Sequence, residues 1–259
     1  MAHQRLDQYL LDHFNISSLG IAQSMVISGK VFVNDQKITK SGHPIKTKDL
    51  VEVRDKTNPY VSRGGLKFKG AVKAFQLDIK NKIALDVGIS TGGFSDFLLK
   101  NDASFVIGID VAYGILDYSL RNNKKLCLLE RTNAKSISKS QIKAQLIKSG
   151  HSDAFADQLN LVVMDVAFIS VTSILPNIRS LVTPETDFII LIKPQFEAPK
   201  DLVEKGGVIT NPDTIQLVLD QIQKNLSTYF EIKGLCPSPI KGQKGNQEYF
   251  LWLTNKTIK

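Results

Sequence analysis

With 259 residues, 42% hydrophobic and 22% charged, including 17 Gly and 9 Pro, the chain has an ordinary globular composition, which excludes disordered, collagen-like and disulfide-stapled classes. Its formal charge of +8 is uneven, because residues 61–82 carry six Lys/Arg against one acidic residue while residues 83–259 are nearly balanced. Cys127 and Cys236 lack C-x-x-C spacing and sit in apolar runs, so reduced, buried thiols are expected, and no metal.

In chain order, Leu6, Tyr9, Leu10 and Phe14 form the stripe of a short amphipathic helix within residues 5–14. After Ile16-Ser17-Ser18, a second helix is predicted from Leu19 to Ser28, capped by Gly29. Val31-Phe32-Val33 reads as a strand and Asn34-Asp35 as a turn. Ser41-Gly42-His43-Pro44 is read as a loop, after which Ile45 and Leu50-Val51-Glu52-Val53 close a small sheet. The result is an α+β module over residues 1–58. Thr57-Asn58-Pro59-Tyr60 signals a linker, since Pro restricts its predecessor to extended conformations, and the join is assigned to residues 59–62.

From residue 63 to 259 strand and helix patterns alternate. Buried strands are expected at Ile83–Val87, Phe105–Asp110, Leu126–Glu130, Leu159–Val166 and Phe188–Lys193, the signature of a parallel, doubly wound sheet. Phe230–Cys236 and Glu248–Leu253, joined by a segment without helical pattern, read as an appended antiparallel hairpin.

The first of those strands runs into Gly88-Ile89-Ser90-Thr91-Gly92-Gly93-Phe94, after which a helix begins. Glycines at such a turn admit a ligand close to the backbone, but the spacing is not the G-x-G-x-x-G of dinucleotide enzymes. D-x-G-x-S/T-x-G-G-F, opening at Asp86, instead resembles the first motif of S-adenosylmethionine-dependent methyltransferases. Asp110 ends the next strand, where a carboxylate would accept from both ribose hydroxyls, and Asn133 ends the third, where an amide would reach an adenine edge. Gly88, Ser90, Thr91, Gly92, Gly93 and Phe94 complete the expected cofactor set with Asp86, Asp110 and Asn133, and Asp165 borders it.

Four polar residues sit at the ends of apolar elements. Asp165 ends Leu161-Val162-Val163-Met164, Lys193 ends Phe188–Ile192, Glu248 starts the antiparallel final strand, and Lys67 opens a helix ahead of the first one. Carboxyl ends of parallel strands are where open α/β sheets bind ligands, so the four are expected to share one crevice. Two lysines and two acids suit methylation of a ribose 2′-hydroxyl, a poor nucleophile until a base with a suitably tuned pKa takes its proton.

Taken together, S-R-G-G-L-K, D-V-G-I-S-T-G-G-F, G-I-D-V-A-Y-G, E-R-T-N, M-D-V-A-F-I-S, I-K-P-Q-F-E and G-N-Q-E-Y-F-L-W-L resemble the TlyA family of ribosomal RNA 2′-O-methyltransferases, historically called haemolysins. The resemblance spans essentially the whole chain. It implies a Rossmann-like methyltransferase fold, a mostly parallel seven-stranded sheet with an antiparallel final strand, behind a small RNA-binding domain like that of ribosomal protein S-four. It further implies S-adenosyl-L-methionine as cofactor, a catalytic set falling on Lys67, Asp165, Lys193 and Glu248, and cytidine 2′-O-methylation in ribosomal RNA. The Ser-Arg that usually opens the module's second helix is here Ser18-Leu19-Gly20-Ile21. RNA contact is therefore expected from Arg5, Lys30, Lys37 and Lys40, continued past the join by Arg63, Lys69 and Lys73. The family's interdomain tetrapeptide, typically R-x-W-V, corresponds to Asn58-Pro59-Tyr60-Val61.

The expected partners are ribosomal RNA or ribosomal subunits, with the protein a cytoplasmic monomer away from membranes. No stretch approaches the ~18 apolar residues of a spanning helix, and the N-terminal segment has no apolar core. Alternatives are a membrane-active haemolysin acting through a basic amphipathic helix at 136–149, an RNA-binding protein with an inactive methyltransferase fold, and a small-molecule methyltransferase.

Overall fold

The computed structural model describes residues 4–256 apart from 15, 17, 28, 35, 47, 54–57 and 243, so the expectations on Ser17, Ser28, Asp35 and Thr57 lie outside the described residues. The chain divides into two compact units, 1–59 and 60–259.

The first unit contains β1 (Gln4–Arg5), α1 (Leu6–His13), α2 (Leu19–Ile27), β2 (Val31–Val33), β3 (Gln36–Ile38), β4 (Pro44–Ile45) and β5 (Val51–Val53). Leu6, Leu10, Ala22, Val26, Val31 and Val33 form its buried centre, which follows the helix stripe and the alternation of β2. One expectation is corrected here. Ile45 does not join the main small sheet; β4 pairs with β1, while β2 is flanked by β3 and β5. The strand β3 was not legible, because in Gln36-Lys37-Ile38, a short edge strand, only Ile38 is partly buried, too little to impose an apolar period.

The second unit contains α3 (Arg63–Phe75), β6 (Ile83–Val87), α4 (Gly93–Lys100), β7 (Phe105–Ile109), α5 (Tyr118–Arg121), β8 (Leu126–Leu129), α6 (Lys139–Lys148), β9 (Leu161–Met164), α7 (Leu175–Arg179), β10 (Asp187–Ile192), α8 (Pro194–Glu197), α9 (Pro212–Leu226), β11 (Phe230–Pro237) and β12 (Tyr249–Asn255). One seven-stranded sheet runs in the order β11-β12-β10-β9-β6-β7-β8. Neighbours from β10 to β8 are parallel, and β12 is antiparallel to both β10 and β11. Glu248 thus immediately precedes the last strand rather than starting it.

Strands β6 and β9 are buried along their whole length because helices cover both faces. The alternation of β6 sends Ile83, Leu85 and Val87 into one apolar layer and Ala84 into the other, where Phe68, Phe94, Phe97 and Phe250 meet. Asp86, at the same parity as Ala84, is thereby buried on the α3–α4 side. Helix α3 buries Gly65, Phe68 and Ala71 at three-residue spacing, and Ser62 caps it by accepting from the Gly64 amide. Cys127 is buried and Cys236, expected buried, is only partly so, since β11 is a sheet edge; both are free thiols. Among the described residues, no helix is long and apolar enough to cross a membrane.

Candidate active site

The order of the sheet reverses between β6 and β9, and a crevice at the carboxyl end of such a switch point is where a doubly wound fold accepts ligands. A cavity of about 850 Å³ opens there. Its lining includes Gly88, Ser90, Asp110 and Asn133 on one side and Lys67, Asp165, Lys193 and Glu248 on the other.

On the first side, Gly88 leaves β6 with φ +80, and a Cβ there would lie 2.6 Å from the Asp165 carbonyl oxygen, so only glycine lets β6 and β9 close together at this point. The Asp110 carboxylate accepts from the Ser90 amide at 2.7 Å and from the Ala112 amide at 2.8 Å. Two backbone donors thus fix its orientation at the cavity wall. An acid so held at the end of the second strand, with Asn133 at the end of the third, fits the ribose and base of an adenosyl group; these residues with Gly88 and Ser90 are the ones that would hold S-adenosylmethionine.

Other members of the expected cofactor set lie outside the cavity lining. The Asp86 carboxylate is buried and accepts from Ser95 Oγ at 2.6 Å. Burial pushes its pKa up to about 7; the Ser95 hydrogen bond opposes the rise, and the charges of Asp165 and Asp110 add to it. Gly92 caps α4 in a left-handed conformation, φ +94. A Cβ on Gly93 would fall 2.2 Å from Ser62 Oγ and 2.9 Å from the Gly65 amide nitrogen, so this glycine serves the close approach of α3 and α4. Phe94 stacks on Phe68 at 5.0 Å, and the Thr91 carbonyl accepts from the Asp117 amide. These residues shape the turn from behind.

On the second side, each lysine meets one carboxylate. Lys67 Nζ donates to Glu248 Oε2 at 2.5 Å, with side-chain exposures of 12% and 4%. Lys193 Nζ lies 2.6 Å from Asp165 Oδ1 as an ion pair whose angles fall outside those of a hydrogen bond. Gly242 makes room for Glu248, since a Cβ there would sit 2.5 Å from Oε1. Pairs this sheltered hold their ammonium groups in place, and losing one partner strands the other charge.

Sequence reasoning missed residues on two further loops. Phe168 is 89% exposed with φ +62, a backbone region an aromatic residue seldom occupies, and its ring lies 4.8 Å from that of Phe196. Glu197 Oε1 accepts from the Val171 amide at 2.9 Å, tying the Phe168 loop to α8. Asn246 is buried, donating to the Gly207 carbonyl and accepting from the Ile209 amide, both at 2.9 Å. The available signal was an aromatic three residues past a strand-terminal acid, and a Pro at the first position of a helix opening K-P-Q-F-E.

Of the expected RNA-facing residues, Arg5 is engaged by Asp7 at 3.0 and 2.7 Å while its side chain stays 61% exposed. Lys37, Lys40, Lys69 and Lys73 are exposed and Lys30 is partly so. Arg63, also exposed, donates to the Lys241 carbonyl at 2.8 Å.

The profile of the FtsJ-like methyltransferases matches residues 60–255, and that of the S4 domain matches residues 4–51. Hemolysin A of Brachyspira hyodysenteriae is 39% identical over 247 residues, covering 95% of this chain and 97% of that one. The 16S/23S rRNA (cytidine-2'-O)-methyltransferase TlyA of Mycobacterium tuberculosis is 34% identical over 255 residues, covering 98% and 90%. The solved structure of a hemolysin-named protein of Streptococcus thermophilus superposes with a TM-score of 0.73 at 28% identity, covering 99% of this chain and 90% of that one.

Proposed function

The chain belongs to the FtsJ-like methyltransferase family and carries an S4 domain ahead of the methyltransferase unit, and from that premise we propose that it methylates a ribose 2′-hydroxyl, that of a cytidine in ribosomal RNA, in the cytoplasm. The observation that carries the reading is the placement of two lysine–carboxylate pairs at the same sheet edge as Asp110. S-adenosylmethionine, when bound, supplies an electrophilic methyl group on a sulfonium.

The chain's own residues do the rest. Lys193, sheltered beside Asp165 at the end of the central strands, acts in its neutral amine form, accepting the proton of the 2′-hydroxyl as that oxygen attacks, and Asp165 then holds the ammonium that results. Lys67, anchored by Glu248, keeps positive charge at the cavity and orients the oxygen that becomes negative. Phe168, with Phe196 behind it, offers an aromatic face on which an unstacked base can rest. The S4 domain and the exposed lysines of α3 hold the surrounding RNA through its phosphates.

The test is to map the product. Incubation with ribosomal subunits lacking the modification should leave one ribose resistant to alkaline cleavage on its 3′ side, because a methylated 2′-oxygen no longer attacks the adjacent phosphate. Methyl groups found on bases alone would overturn the reading.

A further inference from the structure

Two buried side-chain oxygens have no hydrogen-bond partner among the described residues, Asp165 Oδ1 and Gln195 Oε1, and both residues line the same cavity. The first is neutralised by Lys193 at 2.6 Å. The second has no such compensation, and a buried acceptor without a donor is costly enough that folded proteins rarely keep one without a use.

The position of Gln195 says which molecule supplies the donor. It sits on α8, two residues beyond Lys193 at the end of β10, and β9 separates β10 from β6. Strands lie about 4.8 Å apart, which puts β10 about 10 Å from β6 and farther still from β7, whose end carries Asp110. Gln195 therefore faces the half of the cavity away from the adenosyl cradle, beside Phe196 and Phe168.

We infer that Gln195 is a specificity-determining residue, its buried Oε1 accepting a hydrogen bond from the exocyclic amine of the target nucleobase. This inference rests on the ribose-methylation reading above. Cytosine presents an N–H donor at ring position 4; uracil presents a carbonyl there, which would oppose Oε1 acceptor to acceptor. A site built around one hydrogen bond rejects the analogue that cannot make it, because its buried group is then left unpaired.

The test uses the full chain and ribosomal subunits that differ only in carrying C or U at the mapped position. Wild type should favour the cytidine substrate by about tenfold or more in kcat/KM. Gln195→Met, of similar length but without an amide, should bring that ratio to near one with S-adenosylmethionine affinity unchanged. Because the variant removes a buried unsatisfied acceptor, its melting temperature without RNA should equal or exceed the wild-type value. Gln195→Glu keeps an acceptor and should restore the cytidine preference even where its rate is lower. A wild-type ratio near one, a Gln195→Met ratio equal to wild type, or a melting temperature well below it overturns the inference. Absence of ribose methylation by wild type on either substrate would instead overturn the underlying reading.

Discussion

Lys193 and Lys67 occupy equivalent electrostatic settings, each sheltered against one acid, yet the proposed chemistry gives them different tasks. Lys193→Ala should lower methyl transfer by about 10²- to 10⁴-fold, the usual contribution of a positioned base, while binding of S-adenosylmethionine measured by calorimetry stays within twofold of wild type. Lys193→Arg is the sharper probe: a guanidinium can still pair with Asp165 but cannot be deprotonated, so activity should remain lost. Recovery with arginine would mean the residue acts only as a charge. Asp86 offers a test by pH. Its pKa is near 7 when folded and in the ordinary Asp range when unfolded, so between those values the native state holds a proton the unfolded state has released. Stability should therefore fall as pH rises through that window, by at most about 1.4 kcal/mol per unit, and level off above 7. Asp86→Asn should remove that component of the slope in denaturant titrations at pH 5 and 7; an unchanged slope contradicts the assignment. At this scale the charged residues were legible, because a Lys or Asp closing an apolar strand stands out. Phe168, Gln195 and Asn246 were not, because one exposed by a positive φ, one by a missing partner and one by bridging two loops all look ordinary in sequence.

Elements were legible where burial on both faces forced an unbroken apolar run, as in β6 and β9, and illegible where it did not, as in β3. Glycines mark the other limit. Gly88 and Gly93 stand five residues apart in one motif, yet one lines the cavity and the other keeps two helices in contact, a difference set by what faces each Cα in space. Gly93→Ala should thus act through packing: the crowded contacts with Ser62 and Gly65 predict a loss of about 1–3 kcal/mol in chemical denaturation. An unchanged stability with weakened cofactor binding would return Gly93 to the ligand site. Phe68 is the centre of the same layer, fully buried and in ring contact with Phe94, Phe97 and Phe250. Its truncation to Ala should cost about 3–5 kcal/mol by the same measurement.

Across the whole molecule, the excess positive charge in residues 61–82 lies partly on the exposed side of α3, in Lys69 and Lys73, while Lys67 of the same helix turns into the cavity. One helix thus carries both a cavity-lining lysine and an exposed basic surface. Replacing Lys69 and Lys73 by Glu should weaken RNA binding by about tenfold at low salt, with the difference shrinking as salt rises, and should leave S-adenosylmethionine binding intact. An RNA affinity equal to wild type at low salt would remove α3 from the interface. The two-unit arrangement was readable from the Pro59 linker and the change of period around it; the pairing of Arg5 with Asp7, which leaves the Arg5 side chain 61% exposed, was not. Methyl transfer to ribosomal RNA through Lys193 can be decided in a single assay. The most direct measurement is transfer of labelled methyl from S-adenosylmethionine to purified ribosomal subunits lacking the modification, wild type beside Lys193→Ala. Label in the RNA with wild type and none above background with the variant is the predicted result. Equal label with both, or none with wild type while it still binds S-adenosylmethionine, would contradict it.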